Sequence, residues 1–113
     1  MQVEELIKKL PVKVVVAGEP SVVSGGYVSD LLSHVMGQAR AGDVWITLQG
    51  HQNIIAVASL VGIPAVIIAG GMNPDPDTVN KAKAEGITLM TSALPVFEVV
   101  GLLHRLGISG YDA

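Results

Sequence analysis

The side chains best suited to chemistry in this chain gather in a short polar segment behind an apolar run. Residues 44–74 carry no formal charge, although Asp43 and Asp75 flank them. Their polar groups concentrate at Gln49, His51, Gln52 and Asn53. Amides and a neutral imidazole both donate and accept hydrogen bonds, which suits the binding of a polar ligand. His51 is also able to transfer a proton near neutral pH. No carboxylate lies near it in sequence to orient it, so catalysis by His51 is the least favoured hypothesis.

Four segments with glycine, hydroxyl or amide groups directly follow predicted strands: residues 18–26, 49–53, 70–74 and 91–95. Helices are expected to begin soon after them, and the free N–H groups at a helix start favour an anionic ligand. We therefore predict a neutral, hydrogen-bonding site formed by Ser24, Gly25, Gly26, Gln49, His51, Gln52, Asn53, Gly70, Gly71, Thr91 and Ser92. Each member also has a plain structural alternative. Glycine pairs are common in tight turns, and polar residues at a helix start often serve only the backbone.

Several kinds of site are excluded or disfavoured by what the sequence lacks. There is no cysteine, and therefore no disulfide, thiolate nucleophile or Cys-ligated metal. No G-x-x-x-x-G-K-[ST] phosphate loop, G-x-S-x-G elbow or G-x-G-x-x-G fingerprint occurs. His34 and His104 fall on predicted helices away from the four segments, and no histidine or acid cluster has metal-ligand spacing. We predict neither a catalytic site, nor a metal site, nor a cofactor.

Composition favours a single apolar domain. The chain has 113 residues, of which 50% are hydrophobic and 15% charged, below the usual charged share of about 25%. Its net charge is −3 and its seven Lys and Arg are scattered, which argues against nucleic acid. The first ten residues do not resemble a signal peptide, and residues 54–71 are interrupted by Ser59, Gly62 and Pro64, which argues against a membrane span. We expect one domain over residues 1–113 of a cytoplasmic protein.

The elements that must position the polar segments alternate between helix and strand. Apolar periodicity and breaker residues predict helices over residues 2–10, 30–40, 52–61, 76–85 and 95–106, and strands over residues 13–17, 44–48, 65–69 and 87–90. Ser29 or Asp30 would cap the second helix, whereas Gly62 and Gly86 would end the third and fourth. This order predicts a three-layer α/β/α fold around a mostly parallel sheet of four to five strands.

The last predicted helix is apolar around most of its circumference. A terminal helix packed on one face of a sheet needs only an apolar stripe. We therefore predict that part of this helix is an interface with a second subunit, formed by Phe97, Val99, Val100 and Leu103. The alternative is a helix sunk deeply into its own domain.

Over nearly its whole length the chain resembles the DRTGG domain family. The stretches that carry the resemblance are VSGGYVSDLL, GDVWITLQGHQNIIAVASL and GGMNPD. The family's Asp-Arg would correspond to His51-Gln52 after Gly50, and its Thr-Gly-Gly to Ala69-Gly70-Gly71, so only two glycines match literally. The chain is also similar to the N-terminal domain of bacterial HPr kinase/phosphorylase and to the regulatory DRTGG domains of phosphotransacetylases and CBS-domain pyrophosphatases. The resemblance implies a regulatory or dimer-forming module, and the missing phosphate loop argues against a kinase.

Three functional hypotheses follow from the residues and the resemblance. The first is a free-standing, non-catalytic regulatory module. It would bind a nucleotide or phosphorylated metabolite and form a homodimer or dock on a metabolic enzyme. The second is a pure dimerisation or assembly domain, in which the polar segments are only turns. The third is a small enzyme that uses His51.

Overall fold

A five-stranded sheet forms the middle layer of the structure, a computed structural model that describes residues 1–110. Its strands are β1 Lys13–Val16, β2 Gly25–Val28, β3 Asp43–Thr47, β4 Ala65–Ile68 and β5 Thr88–Thr91. Five helices surround it: α1 Val3–Lys9, α2 Leu32–Gln38, α3 Asn53–Val61, α4 Pro76–Glu85 and α5 Val96–Arg105. The strand order is β1-β5-β4-β3-β2. Strands β2 to β5 run parallel, and β1 pairs with β5 in the antiparallel direction.

Alternate side chains of the central strands pack against two separate helical layers. Val44 and Ile46 of β3 lie in the core formed with α1 and α5, whereas Trp45 between them lies in the core formed with α2, α3 and α4. This alternation follows from the two-residue period of a strand. All five residues of β3 are buried, as expected for a central parallel strand covered on both faces. The predicted three-layer α/β/α fold with a mostly parallel sheet is confirmed.

Glycine ends two helices, as their positions in the sequence predict. Gly62 after α3 and Gly86 after α4 both adopt positive φ, at 90° and 69°. Each donates its N–H to a carbonyl of the preceding helical turn, so the chain reverses into the next strand without an unsatisfied amide. Among residues 1–110, no helix combines the length and apolar character that a membrane crossing requires.

One sequence expectation about the fold is wrong. Residues 18–26, which the sequence predicts to be loop or short extended structure, do not lie beside the other three polar segments, because Gly25 and Gly26 begin strand β2 at its amino end. In addition, β1 is antiparallel to its neighbour, so the segment that follows it leaves from the opposite edge of the sheet. The stretch GGYV contains two glycines, which are poor strand formers, and its pattern therefore did not indicate a strand.

Candidate functional site

Four parallel strands end at the same edge of the sheet, here called the carboxyl edge. The last residues of β2 to β5 there are Val28, Thr47, Ile68 and Thr91. The loops that leave this edge hold most of the polar residues that the sequence singles out. Open α/β sheets commonly bind ligands outside the carboxyl ends of their strands.

A cleft of about 440 Å³ opens at this edge, beside the antiparallel strand. Three segments line it: residues 11–13 at the start of β1, residues 71–73 after β4, and residues 91–93 at the end of β5. We call it the edge cleft. Because β1 runs against β5, Lys13 at its first position lies opposite Thr91 at the last position of β5. The antiparallel strand thus brings a cation to the carboxyl edge.

The loops around the edge cleft are joined by backbone hydrogen bonds. Gly70 N–H donates to the Leu94 carbonyl at 2.8 Å, and Gly71 N–H donates to the Ser92 carbonyl at 2.9 Å. Both glycines have positive φ, at 70° and 72°, a backbone conformation that residues other than glycine rarely adopt. Their N–H groups are therefore engaged within the chain and do not form an amide cradle for an anion in this conformation.

Ser92 connects the end of β5 to the start of β1. Its hydroxyl accepts a hydrogen bond from Leu94 N–H at 3.2 Å and donates one to the Pro11 carbonyl at 3.3 Å. The residue itself is buried. Ser92 is therefore not the N-cap of α5, a position that Pro95 occupies. It fixes the spacing between two walls of the edge cleft.

The loop after β3 is held by Asp30. One carboxylate oxygen of Asp30 accepts hydrogen bonds from the Thr47 hydroxyl and from Leu48 N–H, both at 2.7 Å. The Gln49 side chain donates to the Asp30 backbone carbonyl. The expectation that Ser29 or Asp30 caps α2 by its side chain is wrong, since the N-cap residue is Leu31 and has no side-chain cap. Asp30 instead sets the conformation of the neighbouring loop, and Gln49 serves the same connection.

His51 lies at the start of α3 and is exposed. Its Nδ1 accepts a hydrogen bond from Asn53 N–H at 3.1 Å, so the imidazole satisfies one of the free amides at this helix start. Within residues 1–110, no carboxylate hydrogen-bonds or ion-pairs with His51. The orienting carboxylate that the enzyme hypothesis requires is not found among these residues. Nor does any group of three His, Asp or Glu side chains there have the arrangement of a metal site.

The loop that carries His51 also contacts the wall of the edge cleft. A Cβ at Gly50 would lie 2.4 Å from the Asn73 carbonyl oxygen, so only glycine fits this approach. The Gly50 carbonyl accepts hydrogen bonds from Asp75 N–H at 2.9 Å and from the Thr78 hydroxyl at 2.6 Å. The β3–α3 and β4–α4 loops are therefore locked together, although His51, Gln52 and Asn53 do not line the edge cleft.

The predicted site residues thus fall into three places. Gly71, Thr91 and Ser92 line the edge cleft. Gly70 and residues 49–53 belong to loops of the same edge but do not line it. Ser24, Gly25 and Gly26 lie at the opposite edge, where they line a separate cleft of about 260 Å³ together with Arg40 and Asp43.

Lys13, Met72 and Asn73 also line the edge cleft but are not among the predicted site residues, although Met72 and Asn73 lie in the predicted segment 70–74. The position of β1, and therefore of Lys13, could have been inferred from the short connection that follows it. Residues 17–24 between β1 and β2 contain no helix. Neighbouring parallel strands need a crossover of a dozen or more residues, usually a helix. A strand without such a crossover belongs elsewhere in the sheet, in this case at an antiparallel edge.

The predicted interface on α5 is only partly available. Val99 and Leu103 are 2% and 3% exposed and pack in the core between the sheet and α1. Both side chains are therefore largely buried within their own chain rather than exposed at its surface. Phe97 is 84% exposed, and Val100 lines an apolar groove of about 190 Å³ between α5 and β2. The apolar circumference of the helix thus divides between its own core and the protein surface.

Comparison with solved structures shows that this fold is similar to part of the regulatory region of a pyrophosphatase. The sequence matches no protein-family model and no curated protein. Four chains among the solved structures match it. One contains the CBS and DRTGG domains of the regulatory region of Clostridium perfringens pyrophosphatase, in complex with its activator diadenosine tetraphosphate. The TM-score is 0.71 and the identity 18%, and the match covers 88% of this chain and 44% of that one. The present chain thus spans less than half of that region. At this identity the similarity shows the fold alone, which supports the DRTGG-like fold implied by the sequence resemblance.

Proposed function

We propose that this protein is a non-catalytic regulatory module that binds a small anionic ligand, a nucleotide or phosphorylated metabolite, at the carboxyl edge of its sheet. The observation that carries the proposal is the edge cleft of about 440 Å³. It lies where open α/β sheets usually bind ligands, and its volume is within the range of small-molecule sites. The structural neighbour is a regulatory region bound to a nucleotide activator, which favours the same ligand class.

The hydrogen bonds that connect the loops around the edge cleft support a regulatory role. The edge cleft is bounded by segments hydrogen-bonded to the β3–α3 loop on one side and to the start of α5 on the other. A ligand that contacts residues 71–73 therefore touches a loop that is tied to both. Since a ligand shifts a conformational equilibrium by its differential affinity for the two states, binding here would be transmitted to these connected elements.

Thermal unfolding in the presence of candidate ligands tests this proposal. The panel contains adenine and guanine nucleotides, their uncharged nucleosides, dinucleotides and phosphorylated sugars. A true ligand at about 100 times its dissociation constant adds about 2.7 kcal/mol to the free energy of unfolding, which raises the midpoint by several degrees. We expect such a rise for one compound class. If the midpoint stays constant across the whole panel, the ligand-binding proposal fails.

Assembly is the second candidate function, and the exposed apolar residues favour it. Five of them lie at the carboxyl ends of the parallel strands or in the loops and the helix start that follow these ends: Val28, Leu31, Leu48, Met72 and Phe97. Large apolar patches on a surface commonly mark protein interfaces. This surface is suited either to a homodimer or to docking on a metabolic enzyme. Both roles are compatible with ligand binding in the neighbouring edge cleft.

The enzyme hypothesis has the least support. His51 uses Nδ1 to accept from a backbone amide, and no carboxylate among residues 1–110 orients it. A general base normally needs a positioned partner to act on a nucleophile. A non-catalytic role is therefore retained as part of the proposal.

A further inference from the structure

The edge cleft differs in charge from the protein as a whole. The chain has a net charge of −3, yet Lys13 is the only charged residue among residues 1–110 that lines this cleft. No aspartate or glutamate of the part of the chain that the structure describes contributes to its walls. A cleft lined by one sign of charge raises the local concentration of ligands of the opposite sign. The edge cleft is therefore suited to an anion although the chain as a whole carries a net negative charge.

The pairing register places Lys13 and Thr91 together. They are directly opposite each other in the antiparallel β1–β5 pair, a relationship that brings Cβ atoms to within about 4.5–5.5 Å. The adjacent residues Val14 and Met90 both pack towards α1 and α5. Because side chains alternate along a strand, Lys13 and Thr91 share the opposite face, towards α4. A lysine and a threonine side chain thus leave neighbouring backbone positions at one end of the cleft.

The polar groups of these two side chains are not used to hold the fold. Within residues 1–110, neither the Lys13 ammonium nor the Thr91 hydroxyl takes part in a hydrogen bond or ion pair. The neighbouring Ser92 hydroxyl, in contrast, both donates and accepts. Fold stability therefore explains Ser92 but not the placement of Lys13 and Thr91.

We propose that Lys13 and Thr91 form the phosphoryl-binding end of the edge cleft. This inference rests on the proposed function and specifies which end of the ligand is recognised. A lysine ammonium binds phosphate as a point charge, and a threonine hydroxyl adds a directed hydrogen bond. Asn73 and Met72, on the facing loop, contact the remainder of the ligand through an amide and a thioether. The ligand class is a small organic phosphate with a partly apolar body.

Titration with inorganic phosphate tests this assignment directly. Amide resonances of ¹⁵N-labelled protein are followed while phosphate replaces chloride at constant ionic strength. We expect saturable shifts at residues 11–13 and 91–93. Lys13→Met should weaken the apparent affinity by about tenfold or more, the effect of one lost charge-assisted hydrogen bond. Thr91→Val should weaken it less, and Thr91→Ser should retain most of it.

Lys9→Met is the matched control, because Lys9 is an exposed lysine in the last turn of α1 that does not line the cleft. Its affinity for phosphate should equal that of the wild type. The spectrum of each variant without phosphate shows whether the fold is retained. If the shifts do not saturate, or if Lys13→Met and Lys9→Met bind phosphate equally, the assignment of Lys13 is wrong.

The outcomes separate this inference from the broader proposal. Stabilisation by an uncharged nucleoside, without a specific response to phosphate, would overturn the phosphoryl-binding end and retain a ligand-binding module. Phosphate binding that depends on Lys13, with a constant unfolding midpoint across the organic panel, would support the anion site and overturn the proposed ligand class.

Discussion

Individual glycines at the carboxyl edge are required by the contacts between loops. At Gly50 a methyl group would meet the Asn73 carbonyl oxygen at 2.4 Å, a distance that real Cβ atoms essentially never show. The neighbouring atom is backbone and is held by the hydrogen bonds around Gly50 and Asp75. The absence of a side chain at Gly50 therefore allows the β3–α3 and β4–α4 loops to approach each other this closely.

Gly50→Ala should accordingly destabilise the protein by about 1–3 kcal/mol, the usual cost of overpacking a filled space. The free energy of unfolding in urea measures this effect. Gly37→Ala is the matched control, since Gly37 lies within α2 and an added Cβ would meet nothing within 4 Å. That variant should gain about 0.5–1 kcal/mol from helix propensity. Equal stabilities of the two variants would contradict the close approach of the loops.

Asp30 provides a second test at the level of single residues. Its carboxylate accepts from the Thr47 hydroxyl and from Leu48 N–H. Asp30→Ala removes the oxygen that accepts both hydrogen bonds, whereas Asp30→Asn keeps a carbonyl oxygen as an acceptor. We expect a loss of about 1–3 kcal/mol for alanine and a smaller loss for asparagine, also measured by urea unfolding. If asparagine costs as much as alanine, the carboxylate contributes through its charge rather than through these hydrogen bonds.

Among the elements, α5 separates residues of the core from residues of the surface. Leu103 is buried between the helix and the sheet, so Leu103→Ala should destabilise the protein by about 2–5 kcal/mol. Phe97→Ser should have little effect on the stability of a monomer, because Phe97 is 84% exposed. The unfolding free energies of the two variants, compared at one protein concentration, check this division.

Phe97 also tests assembly. If the apolar surface at the carboxyl edge joins two copies of the chain, Phe97→Ser should lower the mass measured by sedimentation equilibrium. Leu60→Ser is the control, because Leu60 is 73% exposed on α3, in the other helical layer. A wild-type protein that is monomeric at high concentration, or a mass that both variants lower equally, would argue against this surface. Substitutions of Val99 or Leu103 do not provide this test, because they disrupt the core.

Most elements, but not their arrangement at the edges of the sheet, are predictable from the sequence. The breakers Pro11, Gly62 and Gly86 and the apolar runs of β3 and β4 identify helices and central strands. Strand β2 carries only Tyr27 and Val28 beyond its two glycines, and its pattern is correspondingly weak. The direction of β1 depends on its pairing with β5, a contact between distant parts of the chain that local periodicity does not report.

The same limit explains the candidate site. Thr91 and Ser92 were predictable because they lie at and directly after the end of a strand of the parallel sheet. Lys13 was not, because its place in the edge cleft requires the antiparallel pairing. The amide groups of Gly70 and Gly71 looked available in sequence, whereas the fold uses them to join two loops. The sequence therefore indicated which residues lie near the strand ends, but not which of their polar groups are left without a hydrogen-bond partner.

For the molecule as a whole, both helical layers share one sheet and should unfold together. Trp45 is the only tryptophan, is fully buried, and lies in the layer formed by α2, α3 and α4. Its fluorescence therefore reports one layer, whereas far-ultraviolet circular dichroism reports all helices and strands. We expect the two signals to give the same midpoint in thermal unfolding, as in a two-state transition. A midpoint for Trp45 that differs from the dichroism midpoint would show that one layer is lost first.

The pairing of β1 with β5 also has a consequence for the order of folding. Residues 13–16 are synthesised before their strand partner at residues 88–91, and β2, β3 and β4 lie between the two in sequence. Closing so long a loop carries an entropic cost that local contacts do not. We therefore expect β1, and with it Lys13, to join the edge cleft late in folding. In hydrogen exchange, the amides of β1 should therefore exchange faster than those of β3. Because Lys13 belongs to β1, the affinity for a ligand should depend on the fraction of molecules in which β1 is paired with β5.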